Sequence, residues 1–212
     1  LTLSVFLATI IPLFFLVGLL KKENRALMLF FCWGLFAFIL SYYGNSFIMQ
    51  KIHIERGEQA VSMAPIVEEF FKFLPLLIFL FVNVHSKYSI IYFGMAIGIG
   101  FSIQENYLYL SHYHMSGNES ALALVVFRSM STSLMHGLTT ALIGFGLCVI
   151  KDFKVFTFPL TFGLFSIAVI SHSLFNLYID SNLKIIGLVM PLAAYAMALT
   201  ALYSLEDFRE NH

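Results

Sequence analysis

Ala64-Pro65-Ile66-Val67-Glu68-Glu69-Phe70-Phe71-Lys72 sets two carboxyls and an ammonium inside an otherwise apolar run, residues 61–84, long enough to cross a membrane. Each such charge at mid-bilayer costs about 2.5–3.5 kcal/mol, so three of them must face protein or trapped water rather than lipid. Lys72 follows Glu68 by four residues and Glu69 by three, so one helix face lets it pair with either. Adjacent carboxyls repel and can hold one proton between them, a state suited to a general base.

The chain around this stretch is of the same apolar kind. Of 212 residues, 59% are hydrophobic and only 11% charged, too greasy a balance to be hidden in one water-soluble core. Lipid is therefore the expected solvent, and the 24 phenylalanines and 10 tyrosines suit it. Twelve basic residues balance 12 acidic ones, so no global field favours nucleic acid, and none is expected as a partner. Cys32 and Cys148 each lie in a long apolar run and are read as packing residues, not as a disulfide or zinc pair.

Apolar runs separated by short polar connectors predict an all-α, polytopic transmembrane bundle forming a single integral-membrane domain over residues 1–212. About seven spans are expected, near 2–20, 26–49, 61–84, 88–110, 121–149, 155–179 and 185–205. No connector is long enough for a soluble domain, so the chemistry must lie within the spans. Taken by alternate loops, Lys21, Lys22, Arg25, Lys87, Lys151, Lys154 and Arg209 fall on one side, and Lys51, Arg56 and Lys184 on the other. The positive-inside rule then makes the C-terminus cytoplasmic.

Spans three to six each offer polar groups, and these are expected to form one buried site. Span four contributes Glu105 and Asn106 after glycines that permit close helix contact; span five contributes Arg128 and His136; span six contributes His172, with Asn176 four residues on and hence on the same face. At about 1.5 Å per residue, Glu68 and Glu69 lie about 10–12 Å, Glu105 about 8 Å and His172 about 10 Å below the outer ends of their spans. His136, at about 20 Å, fits that common depth only if its helix starts later or tilts. Arg128 could equally snorkel outwards. Taken singly, any of these groups reads as interhelical glue; their shared depth argues for more.

Carboxylates and imidazoles converging in a dry pocket suit activation of water, by a glutamate base or by a metal, and both routes fit peptide hydrolysis. For zinc, Glu105, His136 and His172 would give three ligands with an open fourth position, and Glu68 or Glu69 would be the base. Without metal, a glutamate would polarise water while His172 and Asn176 hydrogen-bond the developing oxyanion. The sequence contains neither His-Glu-x-x-His nor Gly-x-Ser-x-Gly.

Glu68-Glu69-x-x-Lys72, Phe101-x-x-x-Glu105-Asn106, His136 preceded by Arg128, and His172-x-x-x-Asn176 together resemble the PrsW proteases, relatives of the CAAX-processing endopeptidases. Glu105 stands where the CAAX enzymes carry histidine. The resemblance implies an intramembrane endopeptidase of a bacterial or archaeal plasma membrane, surrounded by membrane lipids. Its substrate would be a single-pass membrane protein, in the family's known example an anti-sigma factor cut near the extracytoplasmic face as a signalling step. It implies that Glu68 or Glu69 activates water, that Glu105 assists or binds zinc, and that His172 with Asn176 supports the oxyanion or the metal; Lys72, Asn106 and Arg128 support them.

Two other classes compete. A proton-coupled or metal-ion transporter uses the same groups as a relay, but needs a polar path to both faces, whereas these sit mostly in one half. A non-enzymatic membrane partner would carry the pocket as a relic. Spans one, two and seven offer no chemistry of their own and are expected to be scaffold or a lateral gate.

Overall fold

The computed structural model describes residues 11–12, 24–52, 55–81, 89–115, 122–153 and 157–210. The expected first span, 2–20, lies outside the described residues apart from that short helical pair. In the rest, every regular element is an α-helix: α1 (Asn24–Ile52), α2 (Arg56–Ser62), α3 (Ala64–Phe81), α4 (Ser89–Met115), α5 (Leu122–Phe153), α6 (Thr157–Asp180) and α7 (Lys184–Glu210). Helices are what such runs must form, because hydrocarbon offers no partner to a backbone N–H or C=O.

Among the described residues, three helices are apolar and long enough to cross a membrane on those grounds alone: Ala26–Ile52, Val125–Ile150 and Pro159–Asp180. α3 is interrupted by Glu68, Glu69 and Lys72, and the charge cost that keeps it from qualifying is the cost that turns those groups inwards. Two expected boundaries are corrected. The span drawn from residue 61 begins at Ala64, because the chain turns at Met63 after the separate short helix α2, and Pro65 suits the first turn that follows. The stretch from Gln50 to Ala60, expected as a loop, is largely helical, as α1 continues to Ile52.

α5 is the central helix. Its apolar window is 78% buried, against 28% for α1 and 17% for α6, so lipid faces the latter two. Phe162, Ile167, Ile170, Leu174 and Leu177 on α6 are accordingly exposed. Cys148 is buried as expected, whereas Cys32 is exposed, because it lies on the outer face of a peripheral helix. α5 is seated on α4 by Gly98: a methyl there would run into the His136 carbonyl, so only glycine allows the backbones to approach this closely.

In the described helices α1–α7, two prolines lie beyond the first turn, and each frees a carbonyl one turn back. Pro75 cannot donate to the Phe71 carbonyl, and Trp33 Nε1 of α1 does so instead at 3.0 Å. Pro191 leaves the Gly187 carbonyl free, and the Ser131 hydroxyl of α5 is shared between it, at 3.2 Å, and the Leu188 carbonyl, at 2.8 Å. Each compensating donor comes from a neighbouring helix, so the kinks also fix helix packing. Replacing Trp33 by phenylalanine is expected to cost about 1–3 kcal/mol, the penalty of an unsatisfied buried carbonyl, read as a lowered unfolding midpoint in detergent.

Candidate active site

α3, α4, α5 and α6 bring Glu68, Glu69, Lys72, Glu105, His136 and His172 into one cluster, in which Glu69, Lys72, His136 and His172 are fully buried. The depth mismatch between His136 and Glu105 narrows because α4 runs on to Met115, past the end drawn for span four, while α5 starts at Leu122, next to the start drawn for span five. Counted from Met115, Glu105 lies about 15 Å down, so its shallow depth came from ending its helix too early.

Glu69 is the structural carboxylate of the pair. Its Oε1 accepts from Lys72 Nζ at 2.6 Å, from His172 Nδ1 at 2.9 Å and from the Thr139 hydroxyl at 3.1 Å. Sequence spacing left Lys72 free to pair with either glutamate; it pairs with Glu69, lies 5.0 Å over the Phe101 ring, and donates to His136 Nδ1 at 2.9 Å. An ammonium can only donate, so Nδ1 accepts and the hydrogen of the neutral imidazole is on Nε2. That nitrogen then donates to Glu105 Oε2 at 2.7 Å. His136, whose role was open on sequence grounds, thus orients Glu105, its ring held against those of Phe101 and His172.

His172 is arranged the other way round. Nδ1 donates to Glu69, so in the neutral ring Nε2 is an acceptor. It stands 3.6 Å from Glu68 Oε2, and both atoms are buried without a hydrogen-bond partner. Two acceptors at that separation call for a proton, a water hydrogen or a cation beside them. With Nδ1 turned to Glu69, a neutral His172 ring has no hydrogen on Nε2, so the expected donation to an oxyanion requires a proton on that nitrogen as well.

A cavity of about 790 Å³ adjoins the cluster at Glu68 and Glu105, its walls also including Tyr42 and Asn45 of α1, Tyr109 and Asn176, while Glu68 Oε2 and His172 Nε2 lie buried behind it. Asn176 gives one amide hydrogen to the Ala60 carbonyl at 2.9 Å, tying α6 to α2, and keeps the second. Arg128 does not snorkel: it is buried, stacked 3.5 Å from the Tyr109 ring centre, with Nη2 3.8 Å from Glu105 Oε1. Asn106, one residue on from Glu105 and so turned away from it, lines a separate small gap with Arg128 and Tyr109.

A family model described as PrsW family intramembrane metalloprotease matches residues 22–203. The chain belongs to the PrsW family. It is therefore an integral membrane protein and an intramembrane protease, as the motifs led us to expect. No curated protein and no solved structure matches it.

The metal implied for PrsW proteases has a suitable donor set here. One ligand atom each from Glu68, His136 and His172 lies within 4.8 Å of the others, and the orphaned Glu68 Oε2 and His172 Nε2 are the kind of atoms an ion would use. Sequence reasoning placed Glu105 as the third donor with the two histidines. The donor atoms that lie within 4.8 Å of one another come from Glu68 with the two histidines, while Glu105 is bonded to His136 Nε2 and lies near Arg128. Thr139 and Asn45 were missed. Thr139 lies three residues from His136 on one helix face, a signal that was available; Asn45 was detectable only as a lone amide in an apolar run.

Proposed function

We propose that this PrsW protease hydrolyses a single-pass, membrane-anchored protein near the extracytoplasmic face, with Glu68 as the reacting carboxylate. The observation that carries the reading is the pair of buried, unpartnered acceptors, Glu68 Oε2 and His172 Nε2, in a cluster that the cavity adjoins. A water there can give one hydrogen to each. As its oxygen attacks the scissile carbonyl carbon, Glu68 takes one proton and passes it to the leaving nitrogen as the C–N bond breaks. The free amide hydrogen of Asn176 is available to the developing oxyanion. Glu69, with its three donors, holds His172 in the required tautomer, and Lys72 does the same for His136. A zinc ion held by Glu68, His136 and His172 would instead supply a water acidic enough to ionise near neutral pH, with Glu68 then serving as a ligand in place of the base.

A second reading, water activated by Glu68 alone, is favoured by one contact: His136 Nε2, the nitrogen an ion would take, already donates to Glu105. A chelator titration distinguishes the two. In proteoliposomes carrying internally quenched single-pass peptides, 1,10-phenanthroline is expected to stop cleavage and added zinc to restore it. Cleavage indifferent to chelator supports the metal-free reading instead. Mass spectrometry of the products locates the cut, and cleavage confined to the cytoplasmic end of the peptides overturns the proposed side.

The sidedness rests on two facts taken together. The cavity is lined by the C-terminal part of α1, by α2 and by the N-terminal part of α3, and the more basic loops lie at the other ends of α1 and α3.

A further inference from the structure

α1 carries no charged or histidine side chain from Ala26 to Gln50, yet it supplies the one hydrogen bond that Glu68 receives among the described residues. α1 presses on α3 at Gly44, where an added Cβ would meet Val67 Cγ1 at 3.2 Å and Phe71 Cε2 at 3.5 Å. That approach sets the next residue, Asn45, beside the carboxylate, with Nδ2 3.4 Å from Glu68 Oε1. A carboxylate only accepts, so the amide must present its NH2 group. The Asn45 carbonyl accepts from Gln59 Nε2 at 2.7 Å, which fixes the backbone from the α2 side.

We propose that Asn45 is a positioning residue for the reaction: by holding Oε1 of Glu68, it turns Oε2 towards His172 Nε2. As interhelical glue the contact would be poor, being long for a hydrogen bond and leaving Asn45 Oδ1 buried without a partner. As a guide that aims one carboxylate oxygen at His172 Nε2, it has the needed form. One donor sets the rotation of the carboxylate, and the second oxygen is left for chemistry. Glu69 also has a buried oxygen without a partner, Oε2, but its Oε1 takes three donors, so that carboxylate is locked in place where Glu68, with one, is merely aimed. The inference rests on Glu68 being the reacting carboxylate.

The test compares Asn45→Ala, Asn45→Asp, Asn45→Ser and Glu68→Gln in the full chain, reconstituted in phospholipid vesicles with a panel of internally quenched single-pass peptides. Asn45→Ala is expected to lower kcat about tenfold with KM within about twofold and the unfolding midpoint little changed. Asn45→Ser, which keeps a short donor, recovers part of that loss. Asn45→Asp, similar in shape but without the donor and with a second negative charge, falls below alanine. A packing role predicts the reverse order, because aspartate fills the space that alanine empties. Aspartate equal to or better than alanine, or a loss confined to KM, overturns the inference, and the aspartate and serine variants decide it if the alanine variant does not fold. Glu68→Gln separates the levels. If it is inactive while the Asn45 variants match wild type, this inference alone falls; if it keeps full turnover, or if wild type cleaves no peptide, the proposed reaction falls and this inference with it.

Discussion

Glu68→Gln is expected to lower the cleavage rate by about a hundredfold to ten-thousandfold, the range over which a positioned general base acts, while leaving the protein folded. The reason lies in what each carboxylate touches. Glu68 receives one long hydrogen bond from Asn45, and glutamine in its place keeps a carbonyl oxygen to accept it. The lost property is the ability to take a proton at Oε2, opposite His172 Nε2. Glu69→Gln should behave differently. There the oxygen that accepts from Lys72, His172 and Thr139 loses its charge, so the buried ammonium loses its counter-ion and the unfolding midpoint drops along with activity. Initial rates on a quenched single-pass peptide, beside unfolding midpoints in detergent, separate the two. Wild-type turnover in Glu68→Gln would move the base to Glu105, the other carboxylate on the cavity wall.

That division of labour between neighbours could not be read from the sequence, although the existence of the site could. Three charges in an apolar helix must turn inwards whatever the fold, and the same cost applies to Glu105, so a shared polar interior was legible from composition and span length. Successive residues point about 100° apart around a helix, so Glu68 and Glu69 meet different surroundings and share only the His172 ring, each at its own nitrogen. Which of them faces the cavity depends on the rotation of α3, and that is set by contacts made elsewhere, such as Trp33 reaching the carbonyl freed by Pro75. Asn45 was missed for a related reason: its importance comes from α1 lying against α3 at Gly44, a neighbour relation carried by no motif. Glu105 was recognised but placed too shallow, because hydropathy marks where a run stops being apolar rather than where its helix ends, and α4 runs on to Met115.

Lys72→Met is expected to cost about 3–5 kcal/mol, seen as a steep fall in the unfolding midpoint, because it leaves the Glu69 carboxylate buried without its cation. Neither side chain has any exposed surface, so water cannot take over. The damage should spread to His136. Without the ammonium at Nδ1, nothing fixes which ring nitrogen carries the hydrogen, and the 2.7 Å bond to Glu105 is no longer enforced. Lys72→Arg should not rescue, since a planar five-donor fork has no room where the Phe101 ring lies 5.0 Å from Nζ. The informative variant is the double one. Lys72→Met with Glu69→Gln removes both charges and should recover part of the stability lost by either single change, because a buried ion pair is worth little against neutral groups of similar size while a broken pair is costly. It should not recover turnover, since His172 and His136 still lack the charged partners that set their tautomers. A double variant as unstable as the worse single would mean that Lys72 and Glu69 are held apart in the folded protein, and the account of Glu69 as the structural carboxylate would then have no support.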